Sequence, residues 1–233
     1  MVWIPKWDTF FIPIPKTGTQ TVKEILGRRY GKVEREMQTF SHPCYLDAAM
    51  ITRDHPNPVT FFTVVREPRE RLISAIRYAF VRLHEQIEPE VYVDRVFDQI
   101  LSKNTVSPFV PVPVADESLK TRADWELRWI RATMVNNKVT VRKNTAFGLT
   151  AQSWWLDGAE GKGVHVFALE HLDELCDFIG ERKLAREPLN NETEPFMGTA
   201  YVTENSRFEQ VLDRYSDDFK LYEDALSRNL RPF

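Results

Sequence analysis

The stretch from Phe10 to Arg28, FFIPIPKTGTQTVKEILGR, constrains what this chain can fold into more than any other. Phe10, Phe11, Ile12 and Ile14 make an apolar run of strand length, and Val22, Ile25 and Leu26 recur at helical spacing. Between them lies Lys16-Thr17-Gly18-Thr19-Gln20-Thr21. A chain passing from strand to helix through a glycine leaves the first helical N–H groups unpaired and aimed at the turn, where the helix dipole adds partial positive charge. Such a turn accommodates an anion. The threonine hydroxyls and the Lys16 ammonium suit a tetrahedral polyanion such as phosphate or sulfate. An ordinary strand-to-helix turn capped by a threonine is the plainer reading of the same residues.

Further along, Thr60 to Val65 (TFFTVV) is a β-branched and aromatic run without polar alternation, the pattern of a strand buried on both faces of a parallel sheet. It stops at Arg66-Glu67, and Pro68 suits the first turn of a helix. That helix, Pro68 to about Leu83, sets Leu72, Ile76, Ala79 and Leu83 on one face, with Glu67, Arg71, Ser74 and Tyr78 on another. Gly163 to Leu169 (GVHVFAL) reads as a further strand, Leu172 to Ile179 as the helix after it, and Phe208 to about Leu226 as a closing helix. Thr39 to Tyr45 is a short segment broken by Pro43, Leu46 to Ile51 a helical turn or two, and Val91 to Leu101 a weaker helix. Val106 to Val114, with its prolines, is an extended loop; Ala123 to Met134 is amphipathic; Glu187 to Asn205 is a loop. Strands alternating with helices predict an α/β fold with a central parallel sheet. One domain over residues 1–233 is expected, with a helical or loop insertion around 82–144.

The formal charge of −3 disfavours nucleic acid and anionic membrane as partners, although Arg28, Arg29, Lys32 and Arg35 form a local basic cluster. Cys44 and Cys176 are distant in sequence and lack partners at metal spacing, so no disulfide framework or zinc site is indicated. The absence of a signal peptide and of a long apolar run points to a cytoplasmic protein.

Arg66 at the carboxyl end of a buried strand, with Ser74 two turns along the next helix, makes a second phosphate-sized site on the edge where open α/β sheets bind ligands. Two anion sites suggest one ligand with two anionic ends. In these residues the chain resembles the sulfotransferases that use 3′-phosphoadenosine 5′-phosphosulfate (PAPS), most closely the carbohydrate-type, heparan and chondroitin sulfotransferase-like branch. IPKTGTQT looks like that family's 5′-phosphosulfate loop and VVREPRERLISAI like its 3′-phosphate segment. The likeness extends to Gln152, Trp155-Leu156, Glu170, Leu189-Asn190 and the tail YSDDFKLYE.

The resemblance implies a P-loop-NTPase-like three-layer fold and transfer of a sulfuryl group to an acceptor hydroxyl, with 3′-phosphoadenosine 5′-phosphate (PAP) as product and no metal. Lys16 would contact the oxygen bridging sulfur to the leaving phosphate, and Thr17, Gly18, Thr19, Gln20 and Thr21 would cradle the 5′ end. Arg66 and Ser74 would bind the 3′-phosphate. Gln20 departs from the family, which usually carries threonine there. His42 lies between the two motifs, where related carbohydrate sulfotransferases carry a catalytic histidine, and imidazole chemistry suits a base; a histidine that only hydrogen-bonds its loop is the alternative. Arg71 either contacts phosphate or pairs with Glu67 at i, i+4. His55, His84 and His165 read as structural, and Trp125, Trp129, Trp154 and Trp155 as packing residues. The acceptor is a carbohydrate or another hydroxyl-bearing molecule. A P-loop kinase-like phosphotransferase and a non-catalytic nucleotide-binding protein are the competing readings; the kinase pattern fits poorly, because Lys16 precedes Gly18 and TFFTVV ends in Arg66 where an aspartate is needed.

Overall fold

A computed structural model describes residues 3–30, 42–83, 88–102, 149–180 and 198–227. The loop at 106–114, the amphipathic stretch at 123–134, His84 and most of the expected insertion lie outside the described residues. The chain runs through β1 (Trp3–Ile4), a 3₁₀ turn (Pro5–Trp7), β2 (Thr9–Ile12), α1 (Thr19–Tyr30), α2 (Tyr45–Ile51), β3 (Thr60–Val65), α3 (Pro68–Leu83) and α4 (Pro89–Leu101). It continues through α5 (Gln152–Trp155), β4 (His165–Ala168), a 3₁₀ turn (Leu169–His171), α6 (Leu172–Phe178), α7 (Thr199–Glu204), α8 (Phe208–Asp213) and α9 (Ser216–Leu226).

The sheet has the order β1-β2-β3-β4. β2, β3 and β4 are parallel, with Ile12 opposite Thr63 and Val65 opposite Ala168, so their carboxyl ends share one rim. The expected α/β architecture is present, with one difference: β1 runs antiparallel to β2 and makes the sheet mixed. Two residues are too short to leave a periodic signature, and what holds this edge is the packing of Trp3 on Phe10, with ring centroids 5.9 Å apart.

Side chains alternate across the strands and give each face its own core. Phe11, Phe62, Val64 and Phe167 receive Val22, Ile25 and Leu26 of α1 and Leu175 and Cys176 of α6. On the other face Phe10, Ile12, Val65 and Ala168 meet Tyr45 and Ala48 of α2, Trp155 of α5, and Leu221 and Ala225 of α9. A third cluster joins α3 and α4 to α7 and α8 through Leu72, Ile76, Val93, Phe97, Val202 and Phe208. Two expectations are corrected. The closing helix breaks at Arg214-Tyr215 into α8 and α9, because Tyr215 turns inward and donates its hydroxyl to Leu149 O at 2.7 Å. The expected loop at 187–205 ends in α7, whose Val202 is buried.

The two-sided core makes a quantitative prediction. Phe62 is fully buried and its ring meets those of Phe11, Phe167 and Phe178. Phe62→Ala lowers unfolding free energy by about 3–5 kcal/mol in urea titration, whereas exposed Val91→Ser stays within about 0.5 kcal/mol. A Phe62→Ala loss below roughly 1 kcal/mol contradicts this packing.

Candidate functional site at the carboxyl rim of the sheet

The turn after β2 is wound tightly. Lys16 and Gly18 both have positive φ, 69° and 75°. For lysine that conformation costs about 1–2 kcal/mol, a strain that functional loops commonly carry. At Gly18 a Cβ would also fall 2.5 Å from Leu169 Cδ1, at the end of β4, so only glycine fits without displacing that side chain. Gly18 O accepts the first helical bond from Val22 N–H, leaving the N–H groups of Thr19, Gln20 and Thr21 without intrahelical acceptors at the rim.

The threonines act differently from the simple expectation. Thr17 Oγ1 and Thr19 Oγ1 both donate to Ile14 O, at 2.9 and 2.7 Å, and both residues are buried. Each hydroxyl has one proton, so these two side chains hold the turn in shape, and the donors they leave for a ligand are backbone N–H groups. Thr21 is buried and Gln20 is exposed. The Lys16 ammonium reaches toward α3, 4.2 Å from the centroid of the Tyr78 ring, one turn beyond Ser74.

The second motif emerges from the adjoining strand. Glu67 accepts the backbone N–H of Glu70 at 2.7 Å, capping α3. Arg66 donates to Glu70 at 3.4 Å with its side chain partly exposed, and the Ser74 hydroxyl has no hydrogen-bond partner among the described residues. The backbone of Arg66 is gripped by fully buried Gln152, which accepts from its N–H at 2.9 Å and donates to its carbonyl at 2.8 Å. Gln152 thus replaces the ladder that β3 lacks beyond Val65.

Arg71 neither faces the rim nor pairs with Glu67. Only 1 % exposed, it donates from Nε to Pro15 O at 3.0 Å and from a terminal nitrogen to Thr150 O at 2.6 Å, and stands 3.9 Å from Asp218. Asp218, also fully buried, accepts the N–H groups of Gln152 and Ser153 at 2.7 and 2.8 Å. Burial pushes the Asp218 carboxyl above its usual range, while Arg71 and these two N–H donors pull it back. The guanidinium therefore joins the lysine turn to the segment that holds Arg66. Nothing in the helical spacing marks Arg71 as buried except its place four residues before buried Ala75; Asp218 was visible only as part of YSDDFKLYE.

His42 packs beneath the turn. Its Nδ1 is 2.7 Å from Pro13 O, which can only accept, so Nδ1 carries the proton and Nε2 the lone pair. Its ring lies 6.2 Å from that of Trp155. Burial pushes the imidazole pKa down to about 4, the Pro13 bond opposes this, and the nearby Lys23 charge adds to it. His42 is neutral at pH 7. Tyr222, within the YSDDFKLYE tail, is hydrogen-bonded to Glu170 in the turn after β4 and near Glu67, and its phenol is pushed up to about 12, chiefly by burial. Of the other histidines among the described residues, His55 pairs with Asp8 at 2.5 Å, His165 packs on Phe178, and His171, next to Glu170 in the turn after β4, lies 3.5 Å from Glu174.

No helix among the described residues is long and apolar enough to cross a membrane. Comparison with protein-family models, with curated proteins and with solved structures finds no match to this chain.

The buried imidazole has a testable linkage. Its folded pKa of about 4 lies below the ordinary imidazole value of 6.5, so between those values the unfolded chain binds more protons and stability rises with pH. The contribution is complete above about pH 6.5 and disappears as pH falls toward 4, amounting to at most about 3 kcal/mol. Between pH 7 and 4 the wild type accordingly loses more unfolding free energy than His42→Asn, which keeps a donor for Pro13 O. Parallel pH profiles for the two proteins contradict this assignment.

Proposed function

We propose that this protein is a PAPS-dependent sulfotransferase with a P-loop-like fold, moving a sulfuryl group to an acceptor hydroxyl on a carbohydrate. The observation that carries the reading is the juxtaposition of its two motifs. The lysine turn and the Arg66–Ser74 segment leave neighbouring parallel strands at one rim, with Lys16 reaching to the helix that bears Ser74. A ligand with two anionic ends about one nucleotide apart suits that arrangement.

The donor supplies an activated sulfuryl group on a phosphate that leaves. The N–H groups of Thr19, Gln20 and Thr21, with the backbone of Thr17 and Gly18, hold the 5′ end, and Arg66 and Ser74 hold the 3′-phosphate. Lys16 turns from Tyr78 to the bridging oxygen, where negative charge develops as the sulfur–oxygen bond breaks. The acceptor oxygen forms the new bond to sulfur, and its proton passes to Nε2 of His42, whose lone pair is available at neutral pH because Nδ1 is held on Pro13 O.

Thermal-shift titration tests the donor. PAP at 100 times its Kd raises stability by about 2.7 kcal/mol, and ATP with magnesium does not. Arg66→Ala and Ser74→Ala weaken PAP, and Lys16→Ala lowers sulfuryl transfer from radiolabelled PAPS to a glycan panel by roughly 10²–10³-fold. Stabilisation by ATP–magnesium alone indicates a phosphotransferase. PAP binding without transfer to any acceptor indicates a nucleotide-binding protein.

A further inference from the structure

The strand that carries Arg66 loses its neighbours before it reaches that residue. β3 pairs with β2 as far as Thr63 opposite Ile12 and with β4 as far as Val65 opposite Ala168, so no ladder among the described residues holds Arg66. A backbone past its last pairing ordinarily frays, and an arginine rooted on it sweeps a wide volume. Buried Gln152 takes the place of a neighbouring strand. It accepts from the Arg66 N–H at 2.9 Å and donates to the Arg66 carbonyl at 2.8 Å, an orientation of the amide that its two partners dictate, because one can only donate and the other only accept. These two groups belong to successive peptide planes, so bonding both fixes the direction of the Cα–Cβ bond between them. From that root the side chain, 27 % exposed, lies along α3 and meets Glu70, one turn before Ser74.

Gln152 is in turn tied to the lysine turn. Its own N–H is accepted by buried Asp218 at 2.7 Å. Two residues earlier Thr150 O accepts from Arg71 at 2.6 Å, and Arg71 Nε donates to the carbonyl of Pro15, the residue before Lys16, at 3.0 Å. Pro15, Arg71, Thr150 and Gln152 are all buried. Hydrogen bonds in such an interior are strong and costly to leave unmade, so the chain of bonds from Pro15 to Arg66 holds the lysine turn and the root of the arginine at a set separation.

We propose that Gln152 is a positioning residue that makes the site select its ligand by the spacing of two phosphates as well as by their charge, an inference that rests on the donor assignment above. Gln152 acts through the backbone of Arg66. PAP and its isomer adenosine 2′,5′-bisphosphate have the same base and the same charge, and their second phosphates leave adjacent ribose carbons. An arginine on a loose backbone follows either phosphate. One whose root is fixed, with the Ser74 hydroxyl beside it, completes its two-point bonds to a phosphate in one place only.

The test reads the grip and the discrimination separately, on the full chain. In hydrogen exchange without nucleotide, the wild-type Arg66 amide is as protected as that of Val65, and Gln152→Met, which keeps the length of the side chain and deletes both bonds, releases it. By calorimetry the wild type prefers PAP to the 2′,5′ isomer about tenfold or more. Gln152→Met brings the two isomers within about threefold of each other and changes the affinity for adenosine 5′-monophosphate, which has no second phosphate, less than about twofold. Added to Arg66→Ala, Gln152→Met lowers PAP affinity no further. Fast exchange of the wild-type Arg66 amide overturns the proposal whether or not the variant folds. So does an isomer preference that survives Gln152→Met, or an equal loss for all three nucleotides, which a purely structural role produces. Equal wild-type affinity for the two isomers overturns it and spares the donor assignment, whereas a wild type that binds neither bisphosphate better than the monophosphate ends both.

Discussion

The geometry of the carboxyl rim depends on one buried guanidinium. Arg71 lies between two segments that the chain brings together from opposite sides of β3, and it bonds a carbonyl in each: Pro15 O at the mouth of the lysine turn and Thr150 O before α5. Asp218 offsets its charge and caps the first N–H groups of α5 in the same step, which presents Gln152 to the backbone of Arg66. Removing either ion leaves the other uncompensated in the interior, a change that typically costs about 3–5 kcal/mol. The pair is thus better understood as a device that fixes register between two loops than as a source of net stability.

Much of this fold could be read from the sequence because the signals were local. The TFFTVV run, the proline opening α3 and the apolar stripe of α1 each reflect a preference that tertiary packing reinforces. What escaped was non-local or too short. β1 exists because Trp3 finds Phe10, and two residues carry no period. The break between α8 and α9 interrupts an unbroken helical pattern because Tyr215 is drawn to Leu149, though Ser216-Asp217-Asp218 is itself a helix-start signal.

The candidate site divides the same way. The Lys16–Thr21 turn and the Arg66–Ser74 segment were apparent as motifs, and the neighbouring parallel strands bring them to one rim. The direction of individual hydrogen bonds was not apparent. Two threonines that looked like ligand donors face Ile14 O, and His42 is a neutral imidazole anchored on Pro13 O, serving the loop while leaving Nε2 its lone pair. Both outcomes follow from burial, which requires polar groups to find partners inside the fold, and burial is a property of the assembled chain.

Amide hydrogen exchange in Arg71→Met, which preserves much of the side-chain volume while deleting the charge and the donors, addresses this dependence most directly. The account predicts that the amides of residues 16–21 and 149–153 lose protection together, while those of α4 keep wild-type protection relative to global unfolding. Loss of protection in only one of the two segments, or equal loss throughout the molecule, would contradict the claim that Arg71 couples them.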